Sequence, residues 1–440
     1  MGDWGVCAMG DTVRKALAAA GLLAGLAAVC ACSGAVLPAE PSGPKPGVCA
    51  APQGSSDSAQ SLAAGDTAFA VAFFSATVAA TGGQDANVIL SPYSVSAAMT
   101  MVDVGAAART ESQIEGVLHL PGSGAAEAPA YAALACEDES DGTSNGNALF
   151  IANALWAQKG HPFEATFEST LETGYDAPLQ QVDFAGNPAA AVGQVNEWIA
   201  GKTQGMVPSL LGPGDVDDKT QLILANAIYF KGAWANGFDP SQTRPAPFTL
   251  QDGSKVSVPT MTGTVNAPNS WQSALTVVEL PYKGGALAMD VFMPSASSGG
   301  LAAFESALTM PSLRSALTNL ESASQVVLSL PKFSFKTHVE LKPVLTGMGI
   351  TDAFDPTLAN LSGMDGEMDL SVHAVVQEAL VEVDEQGTVA AAATGVSACS
   401  DCEAIIGPEM IQIDQPFLFL IRDTRSGDIL FMGHVTNPAG

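Results

Sequence analysis

The chain has 440 residues, of which 47% are apolar, and a formal net charge of −28 from 45 acidic and 17 basic side chains. That apolar content is enough for a sizeable core, and the length alone favours more than one domain. An acidic surface repels phosphate backbones, so we expect no nucleic-acid partner.

The first residues have the pattern of an export signal. Arg14 and Lys15 precede the apolar run Ala16–Val29, which is followed by small residues and Cys32. This order is typical of a cleaved signal peptide, and the run is shorter than the about 20 residues that span a bilayer. Residues 1–32 are therefore predicted to be a signal peptide, either an ordinary one or a bacterial lipoprotein signal with lipid on Cys32. Both alternatives imply a location in the cell envelope or outside the cell.

Residues 33–61 are rich in Pro, Gly, Ser and Ala and have no apolar period, which predicts a flexible linker. Helical and strand patterns then mix without regular βαβ alternation, so residues 62–438 are predicted to form one α+β domain. Helices are expected to begin at Asn187-Pro188, near Leu301 and near Leu341. The predicted strands are Leu149–Trp156, Leu275–Tyr282, Leu287–Met293 and Val326–Phe333.

Two short motifs match catalytic or phosphate-binding patterns, but each lacks a feature that its pattern requires. Gly142–Gly146 matches G-x-S-x-G with Ser144 as the serine, but a nucleophile elbow needs a strand before it and a helix after it. An acidic polar run precedes it, so a surface loop is the better interpretation and a hydrolase is disfavoured. Gly201-Lys202-Thr203 ends like a phosphate-binding loop, yet Asn196 stands where the motif needs glycine. We predict no catalytic residue.

Metal-ligand spacings are also absent from the sequence. No two of the five histidines are four residues apart, and there is no HExxH motif or pair of CxxC motifs, so we expect no metal and no other cofactor. Glu137, Glu139 and Asp141 follow the opening spacing of a calcium loop, but the twelfth position is Ala148 instead of Glu. Residues 136–147 are therefore predicted to be a solvated acidic loop.

Four of the seven cysteines lie beyond the targeting segment: Cys49, Cys136, Cys399 and Cys402. An even number in an exported chain permits disulfides, with three pairings open. Cys399-Ser400-Asp401-Cys402 is a C-x-x-C sequence, but no βαβ pattern surrounds it, so a thioredoxin-like redox role is not expected.

The stretch Glu378–Thr394 carries the strongest functional pattern. Val381 and Val383 alternate with acidic residues, as in a half-buried strand. Past Gly387 the chain continues into Thr388 and a run of alanines, side chains with no bulk to prevent entry into a tight space. The segment is suited to be a loop in one state and a strand in another.

This segment resembles the hinge of the reactive-centre loop of serpins, and further blocks agree in the family's order. The resemblance implies the serpin fold: α+β, with three β-sheets, about eight or nine helices and an exposed reactive-centre loop, in a monomer. The other matching blocks are Asn87–Met101, Leu222–Trp234, Val326–Phe335 and Gln415–Pro438.

The resemblance implies a serine-type endopeptidase inhibitor instead of an enzyme. A target serine protease, or alternatively a cysteine protease, cleaves the loop, whose N-terminal part then inserts as a new strand and traps the protease. The alternative is a non-inhibitory serpin that acts as a surface or secreted binding protein, reaching a membrane only through Cys32. The predicted hinge residues are Glu385, Gly387, Thr388, Ala390, Ala391, Ala392, Ala393 and Thr394.

The position of the cleaved bond has two interpretations. Counting forward from the hinge by the family's spacing places it between Asp401 and Cys402. Counting back from Pro416-Phe417 places it near Ala404 and Ile405. The first bond would suit an acid-preferring protease, the second an elastase-like or subtilisin-like one.

Other family positions transfer residue by residue. Ser91, Ser94 and Asn226 match the shutter, which lies beneath the point where the sheet opens. The family's usual shutter histidine falls at Gln377, which can donate and accept hydrogen bonds but carries no charge near neutrality. Trp234, Lys332 and Glu385 match the breach, at the top of the insertion site.

Overall fold

The computed structural model describes residues 56–143, 145–387 and 409–440. The ten α-helices in this part of the chain are α1 (Ser56–Thr81), α2 (Pro92–Asp103), α3 (Ala108–Leu118), α4 (Gly124–Thr143), α5 (Ala165–Tyr175), α6 (Pro188–Lys202), α7 (Gly300–Ser306), α8 (Met310–Thr318), α9 (Lys342–Met348) and α10 (Ser362–Asp365). The fourteen strands there are β1 (Val88–Leu90), β2 (Ala148–Gln158), β3 (Gln180–Val182), β4 (Leu222–Lys231), β5 (Arg244–Thr249), β6 (Lys255–Trp271), β7 (Leu275–Pro281), β8 (Leu287–Pro294), β9 (Glu321–Pro331), β10 (Phe333–Glu340), β11 (Val372–Val383), β12 (Glu409–Gln412), β13 (Phe417–Asp423) and β14 (Ile429–Val435).

The five-stranded sheet has the order β10-β11-β4-β2-β3. Its two central neighbours, β11 and β4, are parallel, and all of β4 except Lys231 is buried. A strand buried on both faces reads as a near-continuous apolar run, as LILANAIYF does apart from Asn226. We call the end of this sheet near Val372 and Leu222 its base, and the end near Val383 its top.

The remaining strands pair into a second, nine-stranded array in the order β1-β14-β13-β8-β7-β6-β9-β12, with β5 beside β6. The long strand β6 pairs successively with β5, β9 and β7. It thereby connects β5, β9 and β7 into one array, so the described strands form two connected arrays, where the resemblance implies three β-sheets. The fully buried helix α2 packs against strands of both arrays, which places the core between them.

Helix α1 begins before the predicted domain boundary. The linker prediction for residues 33–61 is wrong over residues 56–61, because Ala59 and Leu62 already bury one face of the helix and Asp57 favours its first turn. Among the described residues, the segment Asp57–Thr81 is long and apolar enough to cross a membrane, but 67% of its apolar window is buried in the fold. That burial is typical of a core helix.

The prediction of a solvated acidic loop over residues 136–147 is also wrong, because α4 continues to Thr143. Ala130, Leu134 and Asp138 recur at helical spacing and are all buried, so one face of the helix stays in the core through the acidic stretch. A helix therefore precedes the G-x-S-x-G motif and strand β2 follows it, the reverse of a nucleophile elbow.

Candidate functional site

Strand β11 connects the parts of the candidate site. It pairs with β10 on one side and with β4 on the other, and Gln377 lies directly opposite Asn226 in the β11–β4 ladder. Glu385 and Gly387 lie just beyond its top end, and Gly387 is the last residue that the structure describes before residue 409. The site therefore has a buried middle and a top.

The middle of the strand carries a cluster of polar side chains, which we call the shutter cluster (Ser91, Ser94, Asn153, Asn226 and Gln377). All of them are buried except Asn153, which is half-buried. The Gln377 side chain accepts a hydrogen bond from the Ser91 amide at 3.1 Å and donates to the Ser91 carbonyl at 2.9 Å and to Asn226 Oδ1 at 2.6 Å. Ser91 is the N-cap of α2, and its hydroxyl accepts from the Ser94 amide at 3.2 Å.

Gln377, which stands where the family usually has a histidine, still hydrogen-bonds to its neighbours in the shutter cluster. Gln377 is fully buried and uses both its amide oxygen and its amide nitrogen to join α2, β11 and β4. A neutral amide makes the same hydrogen bonds across the pH range near neutrality, because it neither gains nor loses a proton there.

Sequence reasoning missed Asn153, whose Oδ1 accepts a hydrogen bond from Asn226 Nδ2. Asn153 sits opposite Asn226 on β2, so the cluster reaches across three neighbouring strands. A single asparagine inside the apolar run Ala148–Trp156 was the available signal, since a polar side chain within a mostly buried strand needs a hydrogen-bond partner.

The top of the strand carries a second cluster, the breach cluster (Trp234, Thr243, Lys332, Glu385 and Gly387). The Lys332 ammonium lies 2.7 Å from Glu385 Oε2, and the Thr243 hydroxyl donates to Glu385 Oε1 at 2.7 Å. Burial of the Glu385 carboxyl opposes its ionisation, but these two hydrogen bonds outweigh it and hold the pKa of Glu385 below its ordinary value. Thr243 was not predicted from sequence.

Trp234 closes the breach cluster from the side of β4. Its ring is buried and stacks on Tyr282 with centroids 4.7 Å apart, and its indole N–H donates to the Asp384 carbonyl at 3.1 Å. Its backbone amide donates to the Gln386 carbonyl at 3.1 Å. The chain beyond β11 is thus fastened to the residues that follow β4.

Gly387 fits a place that no other residue could occupy. Its φ of +121° lies in a region that L side chains rarely adopt, and an added Cβ would come 2.2 Å from the Gly232 carbonyl oxygen. Gly387 pairs with Ala233 as an isolated bridge, and it closes a turn with Asp384. Its position is therefore beside the tops of β4 and β11, beyond the last pair of their ladder, Leu380–Tyr229.

The geometry agrees with what comparison with known proteins finds. Residues 64–438 match the family model described as serpin (serine protease inhibitor). The chain belongs to the serpin family. It is 36% identical to the Ixodes ricinus protein Iris over 353 residues, which cover 79% of this chain and 92% of that one.

Two further serpins are similar over most of their length. Bovine leukocyte elastase inhibitor is 35% identical over 390 residues, 86% of this chain and all of that protein. The solved structure of native protease nexin-1 with heparin superposes with a TM-score of 0.76 at 27% identity and covers 86% of this chain and 100% of its own. The serpin fold is therefore shown for this chain.

Several predicted residues of this serpin lie outside the described residues. They include the hinge from Thr388 to Thr394 with Ala390, Ala391, Ala392 and Ala393, and both candidate bonds, Asp401–Cys402 and Ala404–Ile405. Cys32, Cys49 and Cys399 lie outside them too, whereas Cys136 is on α4. Of the predicted site residues that are described, the structure brings together the shutter set and the breach set.

Proposed function

We propose that this serpin inhibits a serine protease, or alternatively a cysteine protease, by inserting its cleaved loop into the five-stranded sheet. The observation that carries the proposal is the bridge between Gly387 and Ala233. The chain that enters the loop is already held against the residues following β4, at the open end of the β4–β11 pair. A strand that continued from this point would run down between the two.

The sheet favours such an insertion on energetic grounds. β4 and β11 form a parallel ladder from Val372–Leu222 to Leu380–Tyr229. A strand that reverses at the Asp384–Gly387 turn would run antiparallel to both, so one parallel ladder would become two antiparallel ladders. Antiparallel pairs are slightly more stable per residue, and the number of backbone hydrogen bonds would rise. The sheet before cleavage would then be metastable.

The hinge sequence suits this step. In an inserted strand Thr388, Ala390, Ala392 and Thr394 would share one face, and all are small. No proline between Gly387 and Ala398 would remove a donor from the new ladder. The stretch from Thr388 to Asp401 could reach roughly 45 Å when extended, enough to carry an attached protease along the domain.

A protease panel tests the proposal. We would incubate the full chain with acid-preferring, elastase-like and subtilisin-like serine proteases and with a cysteine protease. Expected results are an SDS-stable complex with at least one of them, a new N-terminus at Cys402 or near Ile405, and a higher melting temperature after loop cleavage. Cleavage before residue 395, or cleavage with no gain in melting temperature, would contradict insertion and favour the non-inhibitory binding protein.

A pair of variants tests the insertion step itself. Thr388→Arg would place a charge on the inward face of the inserted strand, where burying it unpaired is costly. We expect it to turn the inhibitor into a substrate, with complex formation falling at least tenfold. The matched control Ala391→Arg adds the same side chain on the opposite face and should retain inhibition. Equal inhibition by both variants would refute the insertion step.

We also propose that the chain is exported, with residues 1–32 as its signal. The support is the order of basic, apolar and small residues in that segment. Mass spectrometry of the cell-derived protein distinguishes the two alternatives: lipid on Cys32 identifies a lipoprotein, and an unmodified N-terminus after the signal an ordinary exported protein. A chain that retains residues 1–32 would overturn the proposal.

A further inference from the structure

Three potential metal ligands meet at the base of the five-stranded sheet. His161, Asp365 and Asp369 each offer one ligand atom, and these atoms all lie within 4.8 Å of one another. The shortest approach joins His161 Nε2 to Asp365 Oδ2 at 2.6 Å. The two segments are 204 residues apart in sequence, which is why no local spacing rule could predict the group.

The surrounding structure positions two of these residues, His161 and Asp365. His161 lies in the turn after β2, its carbonyl accepts from the Gln181 side chain at 3.0 Å, and its ring packs against Phe163 with centroids 5.0 Å apart. Asp365 ends α10, and its Oδ1 accepts from the Glu367 amide at 2.8 Å, so Oδ2 is the oxygen that faces His161. Fixed outer hydrogen bonds of this kind are what orient metal ligands in proteins.

Exposure differs among the three in a way that suits an ion entering from solvent. The Asp365 side chain is only 2% exposed and the His161 side chain 21% exposed, whereas Asp369 is exposed. Two ligand atoms are therefore preset in a partly buried corner, and the third stands at the solvent side. Gly366, with φ +86°, gives the tight reversal that brings Asp369 back toward Asp365.

We propose that His161, Asp365 and Asp369 bind one divalent transition-metal ion of the Zn²⁺ class. One imidazole nitrogen and two carboxylate oxygens form a donor set that Zn²⁺ accepts, with water in the fourth position. Imidazole disfavours Ca²⁺ and Mg²⁺, which prefer oxygen donors. With a neutral histidine the three side chains carry two negative charges, which one divalent ion neutralises.

Binding would replace the hydrogen bond between His161 Nε2 and Asp365 Oδ2 with two bonds to the ion. A neutral imidazole coordinates zinc through Nε2 with its hydrogen on Nδ1, so the histidine stays neutral and the charge balance is kept. In tetrahedral coordination two ligand atoms stand about 3.3 Å apart, so this pair separates slightly while Asp369 moves inward. Small adjustments of two exposed turns are enough to make the site.

The location of the site implies that a bound ion would affect loop insertion, an inference that rests on the proposed inhibitory function. His161 follows β2, which pairs with β4, whereas Asp369 lies three residues before Val372, the first residue of β11. Ala157 of β2 and Val372 of β11 both lie opposite Leu222 of β4, so all three strands reach the base together. An ion here would link the β2–β4 side to the β11 side across the seam that loop insertion must open. Bound Zn²⁺ would therefore slow complete insertion.

A binding measurement tests the site without any protease. We would titrate the full chain, free of any polyhistidine tag, with ZnCl₂ by calorimetry and by equilibrium dialysis, with CaCl₂ and MgCl₂ in parallel. We expect one Zn²⁺ per chain, and at least tenfold weaker binding for Asp369→Asn, which removes an exposed ligand without leaving a buried charge unpaired. The matched control Glu367→Gln neutralises an exposed carboxylate in the same turn and should bind as the natural chain does. Absence of stoichiometric Zn²⁺ binding, or equal affinities in all three chains, would overturn the site.

The seam effect is tested separately. With a protease that forms the SDS-stable complex, Zn²⁺ should lower the rate of complex formation in the natural chain and in Glu367→Gln but not in Asp369→Asn. Binding without any change in rate would overturn the lock and leave the site intact. Failure of every protease to form a complex would refute the proposed inhibition, while the titration would still decide the metal site.

Discussion

The shutter and breach clusters hold the same strand by opposite means. Gln377, Asn226 and Ser91 are fully buried and neutral, and they join three elements through amide and hydroxyl hydrogen bonds. At the breach, Glu385 is ionised between Lys332 and Thr243, and the side chain of Lys332 is 36% exposed. The middle of the strand thus depends on packing that excludes water, and its top on a charge that remains close to water.

This difference separates what each cluster can contribute. Leaving a buried hydrogen-bonding group unpaired costs about 1–3 kcal/mol per group, because nothing replaces the lost water. A partly exposed ion pair is worth about 1 kcal/mol or less, because solvent screens it. We therefore expect the shutter to fix how firmly the sheet stays closed, and the breach to make a smaller, pH-dependent contribution where the loop would enter.

The largest effect is expected for Gln377→Leu. Leucine fills the space but leaves the Ser91 amide, the Ser91 carbonyl and Asn226 Oδ1 without the partner that Gln377 supplies. We expect a loss of about 3 kcal/mol in the free energy of unfolding, with little change between pH 5 and pH 8. Denaturant unfolding at several pH values measures both quantities. A loss below about 1 kcal/mol would show that the shutter hydrogen bonds do not hold the sheet closed.

Gln377→His is the matched variant, since it restores donor and acceptor atoms and adds a titratable group. Burial disfavours the charged imidazole, so the unfolded chain would bind a proton more readily than the folded one. Its stability should then fall as pH drops below about 6.5, which the natural chain's shutter would not do. If the unfolding free energy varied with pH equally in both chains, the neutral Gln377 would not be what makes the shutter insensitive to pH.

The sequence predicts the frame of this site well because local chemistry dictates it. Asn187 caps α6 as expected, with its side chain accepting from the Ala190 amide at 3.1 Å, and α9 begins at Lys342, next to the predicted Leu341. The predicted strand Val326–Phe333 is correct through Pro331, but the chain starts a new strand in the other sheet at Phe333. Periodicity alone cannot show which sheet a strand joins.

The errors arise where distant segments meet. The helix through Asp138 was predicted as a loop because its acidic composition favours solvent, whereas packing of the same face at Leu134 decides the outcome. Thr243 gains its place only because β5 brings it to Glu385, and His161 only because two turns converge at Asp365. Such pairs have no spacing in the sequence from which they could be predicted.

A titratable neighbour limits the pH insensitivity of the shutter. Ser96 lies on α2, the helix that Ser91 caps, and donates a hydrogen bond to the buried carboxyl of Asp66 on α1. Burial raises the pKa of Asp66 to about 7, although the bond from Ser96 opposes the shift. Burial also raises the pKa of Asp138 and of Asp428 well above the ordinary value, and Asp66 adds to both shifts by its charge.

The buried Asp66 should make the free energy of unfolding fall as pH rises, whereas a salt-bridged acid makes it fall as pH drops. We expect Asp66→Asn to remove this dependence. The unfolded carboxyl ionises near its ordinary pKa of 3.8 and the folded one near 7, so between these values the folded chain binds more protons. The stability of the natural chain should therefore fall as pH rises from about 4 to about 7. Asparagine can still accept from Ser96 and should flatten that part of the curve.

Asp57→Asn is the control, because Asp57 is exposed in the first turn of the same helix and the substitution removes the same charge. It should leave the slope of the unfolding free energy against pH unchanged. If both variants flatten the curve equally, net charge and not the buried carboxyl is the cause.

The smallest effect is expected at the breach, for Glu385→Gln. The hydrogen bonds from Lys332 and Thr243 hold the pKa of Glu385 below its ordinary 4.5, so the stabilisation is present above pH 4.5 and disappears as pH falls through the folded value. At pH 7 the variant should lose about 1 kcal/mol or less, and at pH 3 the difference from the natural chain should shrink. Lys332→Met removes the cation instead and should raise the pKa of Glu385, so that its stabilisation is lost at a higher pH. Unfolding curves at pH 7, 5 and 3 for both variants test this prediction. If the difference in unfolding free energy between Glu385→Gln and the natural chain stays constant with pH, Glu385 acts at the breach by shape and hydrogen bonding, as Gln377 does at the shutter.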